Sequence, residues 1–102
     1  MERTPIPISL KRKIKFNQRP EIPEDRLQIA HIESVFRGGT NDESNLTALT
    51  LIEHAFQHFQ DACYSREWEM SRKDWYAVRT IVAKMSPSER KIFSYLTSHI
   101  NG

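Results

Sequence analysis

Residues 8–16, with the sequence ISLKRKIKF, alternate between apolar and polar side chains along nearly their whole length. The exception is Arg12, which falls on the apolar side, where its long aliphatic stem is tolerated. Alternation at every residue is typical of a half-buried β-strand. The pattern therefore predicts an N-terminal strand with two faces. The inward side chains are Ile8, Leu10, Ile14 and Phe16, and the outward ones are Ser9, Lys11, Lys13 and Lys15.

The next part of the chain has helical periodicity. Pro23 and the two acidic residues that follow it favour a helix start, and two glycines from Gly38 favour its end. We therefore predict a first helix over residues 24–37. Apolar residues spaced by three and four positions predict a second helix over residues 45–64, beginning at Ser44 or Asn45.

Two further helices are predicted in the last third of the chain. The pair Ser71 and Asp74 resembles a capping box, which would open the third helix. Ser86, Pro87 and Glu89 combine a cap, a first-turn proline and a capping glutamate, so the fourth helix is predicted to begin there. The core predicted from these helical stripes consists of Leu49, Ile52, Phe56, Phe59, Val78, Val82, Phe93 and Leu96.

These elements predict a mainly α fold, in which one N-terminal β-strand or extended arm is followed by four helices. We divide the chain into a basic N-terminal arm or strand, residues 1–20, and a single helical domain, residues 21–102. An isolated strand cannot satisfy its own backbone, so two copies could pair their strands across a twofold axis as a homodimer. Alternatively, the strand could add to the sheet of another protein.

The composition narrows the class of protein. At 38% hydrophobic residues, the 102-residue chain has enough apolar side chains for a modest core. A single cysteine cannot form an internal disulfide, which fits a reducing compartment. No apolar run reaches the ~18 residues of a membrane span, and no secretory signal is evident. We expect an intracellular protein without a membrane partner, cytoplasmic or, in a eukaryotic or viral source, nuclear.

The charges are distributed in three blocks, although the formal net charge is only +2. Residues 1–20 hold six basic side chains and one acidic side chain. Residues 21–70 hold three basic and ten acidic side chains, and residues 71–102 hold six basic and two acidic ones. Two basic surfaces separated by an acidic one could each meet a polyanion. Alternatively, the blocks neutralise one another within the fold or across an oligomer.

The first candidate basic surface is the outward face of the predicted strand, followed by two predicted helices. This order resembles the ribbon-helix-helix family of DNA-binding repressors over residues 8–64. The resemblance implies that two chains pair their strands into a ribbon that reads the DNA major groove. It implies that Lys11 and Lys13, together with Ser9 or Lys15, contact the base edges. The nucleic-acid-binding candidates on this segment are Lys11, Arg12, Lys13 and Lys15. Alternatively, these cations are the solvated face of an edge strand.

The second candidate basic surface lies on the predicted third helix. Cations around an aromatic ring are what a nucleic-acid backbone with an unstacked base would use. The candidates are Arg72, Lys73, Tyr76, Arg79 and Lys84. The alternative is an ordinary solvated helix face. Trp68 and Trp75 are either interface anchors or core residues.

Metal binding and catalysis have little support in the sequence. His54 and His58 stand four residues apart, a spacing that can present two imidazoles to one metal, with Asp61 as a third ligand. Two surface histidines are more commonly without such a role, so we predict no metal and no cofactor. The chain has three glycines and no phosphate-binding loop, and Cys63 lies on the apolar stripe of the second helix. We expect a non-enzymatic protein.

The sequence thus favours a small nucleic-acid-binding regulatory protein that acts as a homodimer through its basic surfaces. It leaves open whether the nucleic acid is DNA or RNA. The alternative is a protein-interaction module, an adaptor or inhibitor, that docks its N-terminal strand or arm on a partner protein. In a eukaryotic or viral source, LKRKIK could also serve as a nuclear-import signal, which would place the arm in solution and not in a sheet.

Overall fold

The computed structural model of the protein describes the backbone of residues 5–101 and the side chains of residues 5–98. Within this range the chain is mainly helical, with four α-helices and one antiparallel two-stranded sheet, which confirms the predicted mainly α class. The chain forms two compact units, Met1–Leu49 and Thr50–Gly102.

The first unit contains helix α1 (Ile8–Gln18) and strands β1 (Leu27–His31) and β2 (Leu46–Thr50), the last residue of which begins the second unit. Single turns of 3-10 helix precede and follow β1 and precede β2, at Glu24–Arg26, Val35–Arg37 and Glu43–Asn45. The buried side chains at the centre of this unit are Ile14, Leu27, Leu46 and Ala48.

The prediction of a β-strand over residues 8–16 is wrong, because these residues form α1. Leu10 and Ile14, four residues apart, lie on one face of a helix, so the pattern that suggested a strand also fits a helix. Ile14 is buried, whereas Ile8 and Phe16 are more than 70% exposed. Lysine and arginine are strong helix formers, and the segment contains four of them between residues 11 and 15.

The end of α1 is attached to β2 by one side chain. The Gln18 Oε1 atom accepts hydrogen bonds from the Ala48 backbone N–H at 2.9 Å and from the Thr47 hydroxyl at 3.1 Å. The Gln18 amide nitrogen donates to the Leu46 carbonyl at 3.4 Å. The Gln18 amide thereby supplies backbone hydrogen-bond partners to β2, as a neighbouring strand would.

The predicted helix over residues 24–37 is also wrong. Its middle, Leu27–His31, is strand β1, which pairs with β2 in the antiparallel sheet. The ladder extends to a hydrogen bond from the Ile32 N–H to the Asn45 carbonyl at 2.8 Å. Pairing with a strand distant in sequence has overridden the local helical signal. Both strands of the described residues therefore pair within the chain. Residues 8–16, which were predicted to be the unpaired strand, belong to α1.

The loop between β1 and β2 is organised around Asn45. Its side chain donates to the carbonyls of Glu33 at 3.0 Å and Thr40 at 2.8 Å, and it accepts from the Glu33 N–H at 2.8 Å. Gly38 has a left-handed φ of 98°, which glycine adopts without strain. At Gly39, a Cβ atom would overlap the Glu33 carbonyl. Both glycines are therefore needed for this turn, the first for its φ and the second for space.

The second unit consists of helices α2 (Leu51–Tyr64), α3 (Trp68–Val82) and α4 (Pro87–Asn101). Helix α2 begins six or seven residues later than predicted from Ser44 or Asn45, because β2 occupies the intervening residues. Thr50 caps α2: its hydroxyl accepts from the Glu53 N–H at 3.2 Å, and its N–H donates to the Glu53 carboxylate at 2.9 Å. Such a capping box fixes the start of a helix.

The predicted start of α3 is wrong, whereas the predicted start of α4 is confirmed. The predicted capping box of Ser71 and Asp74 is wrong, since α3 begins at Trp68 and the Ser71 hydroxyl donates to the Ala62 carbonyl at 2.8 Å. The predicted cap of α4 is confirmed. The Ser86 hydroxyl accepts from the Glu89 N–H at 3.2 Å, and the Ser86 N–H donates to the Glu89 carboxylate at 2.9 Å.

The core of the second unit is formed by α2, α3 and α4. Of the residues predicted for the core, Phe59, Val78 and Phe93 are buried, while Ile52, Phe56 and Val82 pack against them partly buried. The rings of Phe59 and Phe93 meet edge to face at 6.1 Å. Three predictions differ from the structure: Leu49 lies in β2, Leu96 is 37% exposed, and Cys63 is exposed.

Candidate nucleic-acid interface

Helix α3 has a buried face and an outward face of different chemistry. Asp74, Val78 and Ile81 are buried on the face that packs in the core. On the opposite side, residues four apart along the helix place Trp68, Arg72 and Tyr76 in one line. Trp68 is 69% exposed and Tyr76 is 72% exposed. Arg79 lies beside this line one turn further along, and we call the four residues Trp68, Arg72, Tyr76 and Arg79 the α3 face.

Two tryptophans on α3 have different roles. Trp75 is 42% exposed, and its ring meets the edge of Phe59 at 5.3 Å, so it anchors α3 to α2. The Trp68 ring points outward instead, and the Arg72 guanidinium lies over it at 5.3 Å from the ring centre. This cation–π contact orients both groups at the surface and costs the arginine none of its hydrogen-bond donors.

The arginines of the α3 face are not neutralised within the part of the chain that is described. No carboxylate of the described residues lies within 4.0 Å of Arg72 or Arg79. A guanidinium carries five donors in a planar fork that matches phosphate oxygens. The α3 face thus combines two arginines with two large, exposed aromatic rings.

The structure brings together some of the predicted residues of this region and separates others. Arg72, Tyr76 and Arg79 share the α3 face. Lys73 is exposed on the flank of the helix, and Lys84 follows the end of α3. The sequence predicts Trp68 to be either an interface anchor or a core residue. The spacing of Trp68, Arg72 and Tyr76 is the signal that identifies Trp68 as part of the outward face. A helix that starts at Ser71, as predicted, does not include Trp68.

Arg90, another cation of the basic residues 71–102, has a local structural role. Arg90 donates from Nε to the Val82 carbonyl at 3.2 Å and from Nη2 to the Ala83 carbonyl at 3.3 Å. These carbonyls lie at the C-terminus of α3, where a positive side chain satisfies backbone acceptors and the helix dipole. Arg90 therefore stabilises the end of the helix that carries the α3 face.

The cations of α1 are arranged differently from the prediction. On a helix, Lys11 and Lys15 are neighbours, whereas Lys13 points to another side. Arg12 pairs with Glu24 at 3.4 Å and Lys13 pairs with Glu43 at 3.5 Å. The Lys15 ammonium donates to the Glu24 backbone carbonyl at 3.1 Å. Three of the four predicted binding residues on α1 therefore already contact acceptors of their own unit.

The histidines considered as metal ligands lie on α2. Among the described residues, no group of three or more His, Cys, Asp and Glu side chains is placed to hold a metal ion. His54 and His58 lie with their ring centres 5.1 Å apart. The Nδ1 atom of His58 is hydrogen-bonded to the buried Asp74 carboxylate at 2.8 Å. His58 is therefore bound into the packing of α2 on α3.

Comparisons with protein-family models, with curated proteins and with solved structures found no match to this chain. Within the described residues, no helix combines the length and apolar character that crossing a membrane requires. Residues 8–16, which carry the first candidate basic surface, lie on helix α1.

Proposed function

We propose that this protein is a non-enzymatic regulator that binds nucleic acid through the α3 face. The observation that carries the proposal is the exposure of Trp68 and Tyr76, each about seventy per cent, beside two arginines without a carboxylate partner among the described residues. Large aromatic rings grouped in one patch and flanked by polar groups are typical of an interaction surface. Arginines next to them supply the charge that a phosphate backbone needs.

The geometry of the α3 face suits an unpaired strand. Trp68 and Tyr76 are eight residues apart, which is about 12 Å along a helix axis. At the ~3.4 Å per nucleotide of a stacked strand, this distance corresponds to three or four nucleotides. Arg72 lies between the two rings, so bases stacked on the rings would place a phosphate near its guanidinium.

A single strand or loop fits this face better than a regular duplex. Aromatic rings stack on bases only where those bases are unpaired and accessible. Stacking is tolerant of sequence because every base has a flat face. We therefore expect affinity for unpaired DNA or RNA with a modest sequence preference, and weaker binding to duplexes.

The cations of α1 belong to the proposal as a secondary contact. Lys11, Arg12, Lys13 and Lys15 add positive charge to the first unit and would attract a long strand without specificity. Their ion pairs with Glu24 and Glu43 are exposed and of the kind that salt screens readily.

The homodimer also remains part of the proposal. It no longer depends on a free strand, and the exposed Ile92 of α4 is an apolar side chain that a second copy would cover.

A protein partner is the second candidate for the same face. Trp, Tyr and Arg are the residues that most often dominate protein–protein binding energy. The N-terminal segment predicted to dock as a strand is helix α1, so a partner would meet a helix there. Nucleic-acid binding differs from this alternative in its steep dependence on salt.

The experiment that tests the proposal is a fluorescence-anisotropy titration with labelled oligonucleotides of about 12 nucleotides, within the size of small single-strand sites. Single-stranded DNA and RNA are compared with the matching duplexes. Replacing Arg72 and Arg79 together by alanine should weaken single-strand binding at least about tenfold. The control replaces Arg26 and Lys91 by alanine. Both are exposed cations that do not belong to the α3 face, so this variant should bind nearly as well as the wild-type protein. Equal affinity in both double variants would contradict the assignment.

A further inference from the structure

The first unit contains a pocket of about 270 Å³ that the α3 face does not involve. One wall is formed by Arg12, Lys15 and Phe16 of α1 together with Arg19, which directly follows the helix. The other wall is the segment that follows α1, from Pro20 to Glu24, which turns back towards the helix. The pocket is therefore formed by residues close in sequence, within one compact unit.

Local hydrogen bonds hold the two walls in place. The Ile22 N–H donates to the Arg19 carbonyl at 3.2 Å, which closes a turn directly after α1. The Lys15 ammonium donates to the Glu24 carbonyl at 3.1 Å across the pocket. Pro20 and Pro23 restrict the backbone of the intervening segment. A pocket with restricted walls needs little ordering when a ligand enters.

The lining has a charged part and an apolar part. Arg12, Lys15 and Arg19 contribute three positive charges, and Glu24 contributes one negative charge. The apolar part consists of Phe16, Ile22 and the two prolines. Phe16 is 73% exposed, so one side of its ring is open to solvent and to a ligand. Cations and a flat ring on one opening are suited to an anion that carries a ring of its own.

Each of the two arginines that line the pocket already has a carboxylate partner. The Glu24 carboxylate lies 3.4 Å from Arg12 Nε, and the Glu21 carboxylate lies 3.4 Å from Arg19 Nε. Both glutamates are more than half exposed, at 54% and 65%. Exposed pairs of this kind contribute little to stability, so the carboxylates can turn away when a stronger anion arrives.

We infer that this pocket binds a phosphate monoester attached to a flat ring, such as a nucleoside monophosphate. The arginines contact the phosphate, Lys15 adds charge, and the base stacks on Phe16. A phosphate monoester carries nearly two negative charges and three acceptor oxygens, so at each guanidinium group it competes with a carboxylate of only one charge. The pocket volume is near the lower end for ligand sites, which suits a mononucleotide rather than a dinucleotide. The inference does not depend on the α3 face.

The test is calorimetric titration of the full chain with adenosine monophosphate, with adenosine and inorganic phosphate titrated separately. The nucleotide should bind more tightly than either part, because each part uses only half of the lining. Arg12→Ala should weaken nucleotide binding about tenfold, the effect of one charge-assisted contact. Lys13→Ala is the matched control, since Lys13 is the adjacent cation, is similarly exposed and has its own glutamate partner. Equal affinities of the Arg12→Ala and Lys13→Ala proteins would overturn the inference.

Two more variants separate the parts of the pocket. Glu24→Gln should tighten nucleotide binding severalfold, because the competing carboxylate is removed while the backbone carbonyl that holds Lys15 remains. Phe16→Ala should weaken binding of the nucleotide more than binding of inorganic phosphate. Ile8→Ala, an equally exposed position on α1, should change neither. Weaker binding in Glu24→Gln, or no effect of Phe16→Ala, would contradict the proposed arrangement.

The phosphate could belong to a free nucleotide or to the 5′ end of a strand. Competition with single strands that carry or lack a 5′-phosphate distinguishes these sources. If the phosphorylated strand displaces the mononucleotide and the unphosphorylated strand does not, the pocket also accepts strand ends. If only the free nucleotide binds, it is a mononucleotide site. If neither binds, the inference about the pocket is wrong. That result does not test the proposed role of the α3 face.

Discussion

The Nδ1 atom of His58 on α2 lies 2.8 Å from the Oδ1 atom of Asp74 on α3, and Asp74 is 0% exposed. A fully buried carboxylate is costly unless hydrogen bonds or an opposite charge compensate it. The imidazole, whose side chain is only 14% exposed, supplies such a bond between the two helices. This polar contact fixes how α3 rotates against α2, and hence which residues of α3 face outward.

Removing the imidazole should destabilise the second unit. His58→Ala leaves the Asp74 carboxylate buried without this partner, so we expect a loss of about 3 kcal/mol in the free energy of unfolding. Urea denaturation followed by circular dichroism measures the loss. Gln60→Ala, an exposed position on the same helix, serves as the control and should cost little. A His58→Ala protein as stable as the control would show that the contact does not hold the helices.

The two glycines of the β1–β2 loop should respond differently to alanine. Gly38→Ala meets open space but must adopt a left-handed φ, which costs about 1–2 kcal/mol. Gly39→Ala places a methyl group on the Glu33 carbonyl and disturbs the contacts of Asn45, so it should cost more. Thermal unfolding of the two variants shows which substitution lowers the stability more. A more stable Gly39→Ala protein would contradict the described loop.

Trp68 should report binding directly. Replacing Trp75 by phenylalanine leaves Trp68 as the sole tryptophan, since the chain contains two. If a base stacks on the exposed indole, its fluorescence should be quenched when a single strand is added. Trp68→Phe, which keeps Trp75, is the control and should show a much smaller change, since Trp75 packs against Phe59. Binding without a change in Trp68 emission would exclude stacking at this residue.

The homodimer is tested by sedimentation velocity across the micromolar concentration range. We expect a species of twice the 12.0 kDa chain mass. Ile92→Lys should shift the equilibrium to the monomer, because the exposed side chain of Ile92 would lie in the contact and a charge there would be desolvated. Lys91→Ala, the exposed neighbour, should leave the equilibrium unchanged. A wild-type monomer at every concentration would contradict the dimer.

The parts of the fold set by nearby residues could be predicted from the sequence. The cap formed by Ser86 and Glu89 depends on side chains three positions apart, and the structure confirms it. The core positions Phe59, Val78 and Phe93 follow from helical spacing, which is equally local.

The remaining elements depend on partners distant along the chain. Residues 8–16 fit both a strand and a helix, and the packing of Ile14 on Leu27 and Leu46 decides between them. Residues 27–31 become a strand because β2 pairs with them. Asp74 fits a capping box with Ser71 in the sequence, but it lies inside α3 and is hydrogen-bonded to His58, sixteen residues earlier. For the same reason, the sequence could propose Arg72 and Tyr76 as binding residues but could not place Trp68 beside them.

The salt dependence of single-strand binding tests the central claim most directly. Each phosphate neutralised on a single strand contributes about −0.7 to the slope of log K against log salt concentration. If Arg72 and Arg79 each contact one phosphate, their replacement by alanine should make the slope shallower by about 1.4. The Arg26 and Lys91 double variant should keep the wild-type slope. An unchanged slope in the Arg72 and Arg79 variant, with an affinity equal to that of the wild type, would contradict nucleic-acid binding through the α3 face.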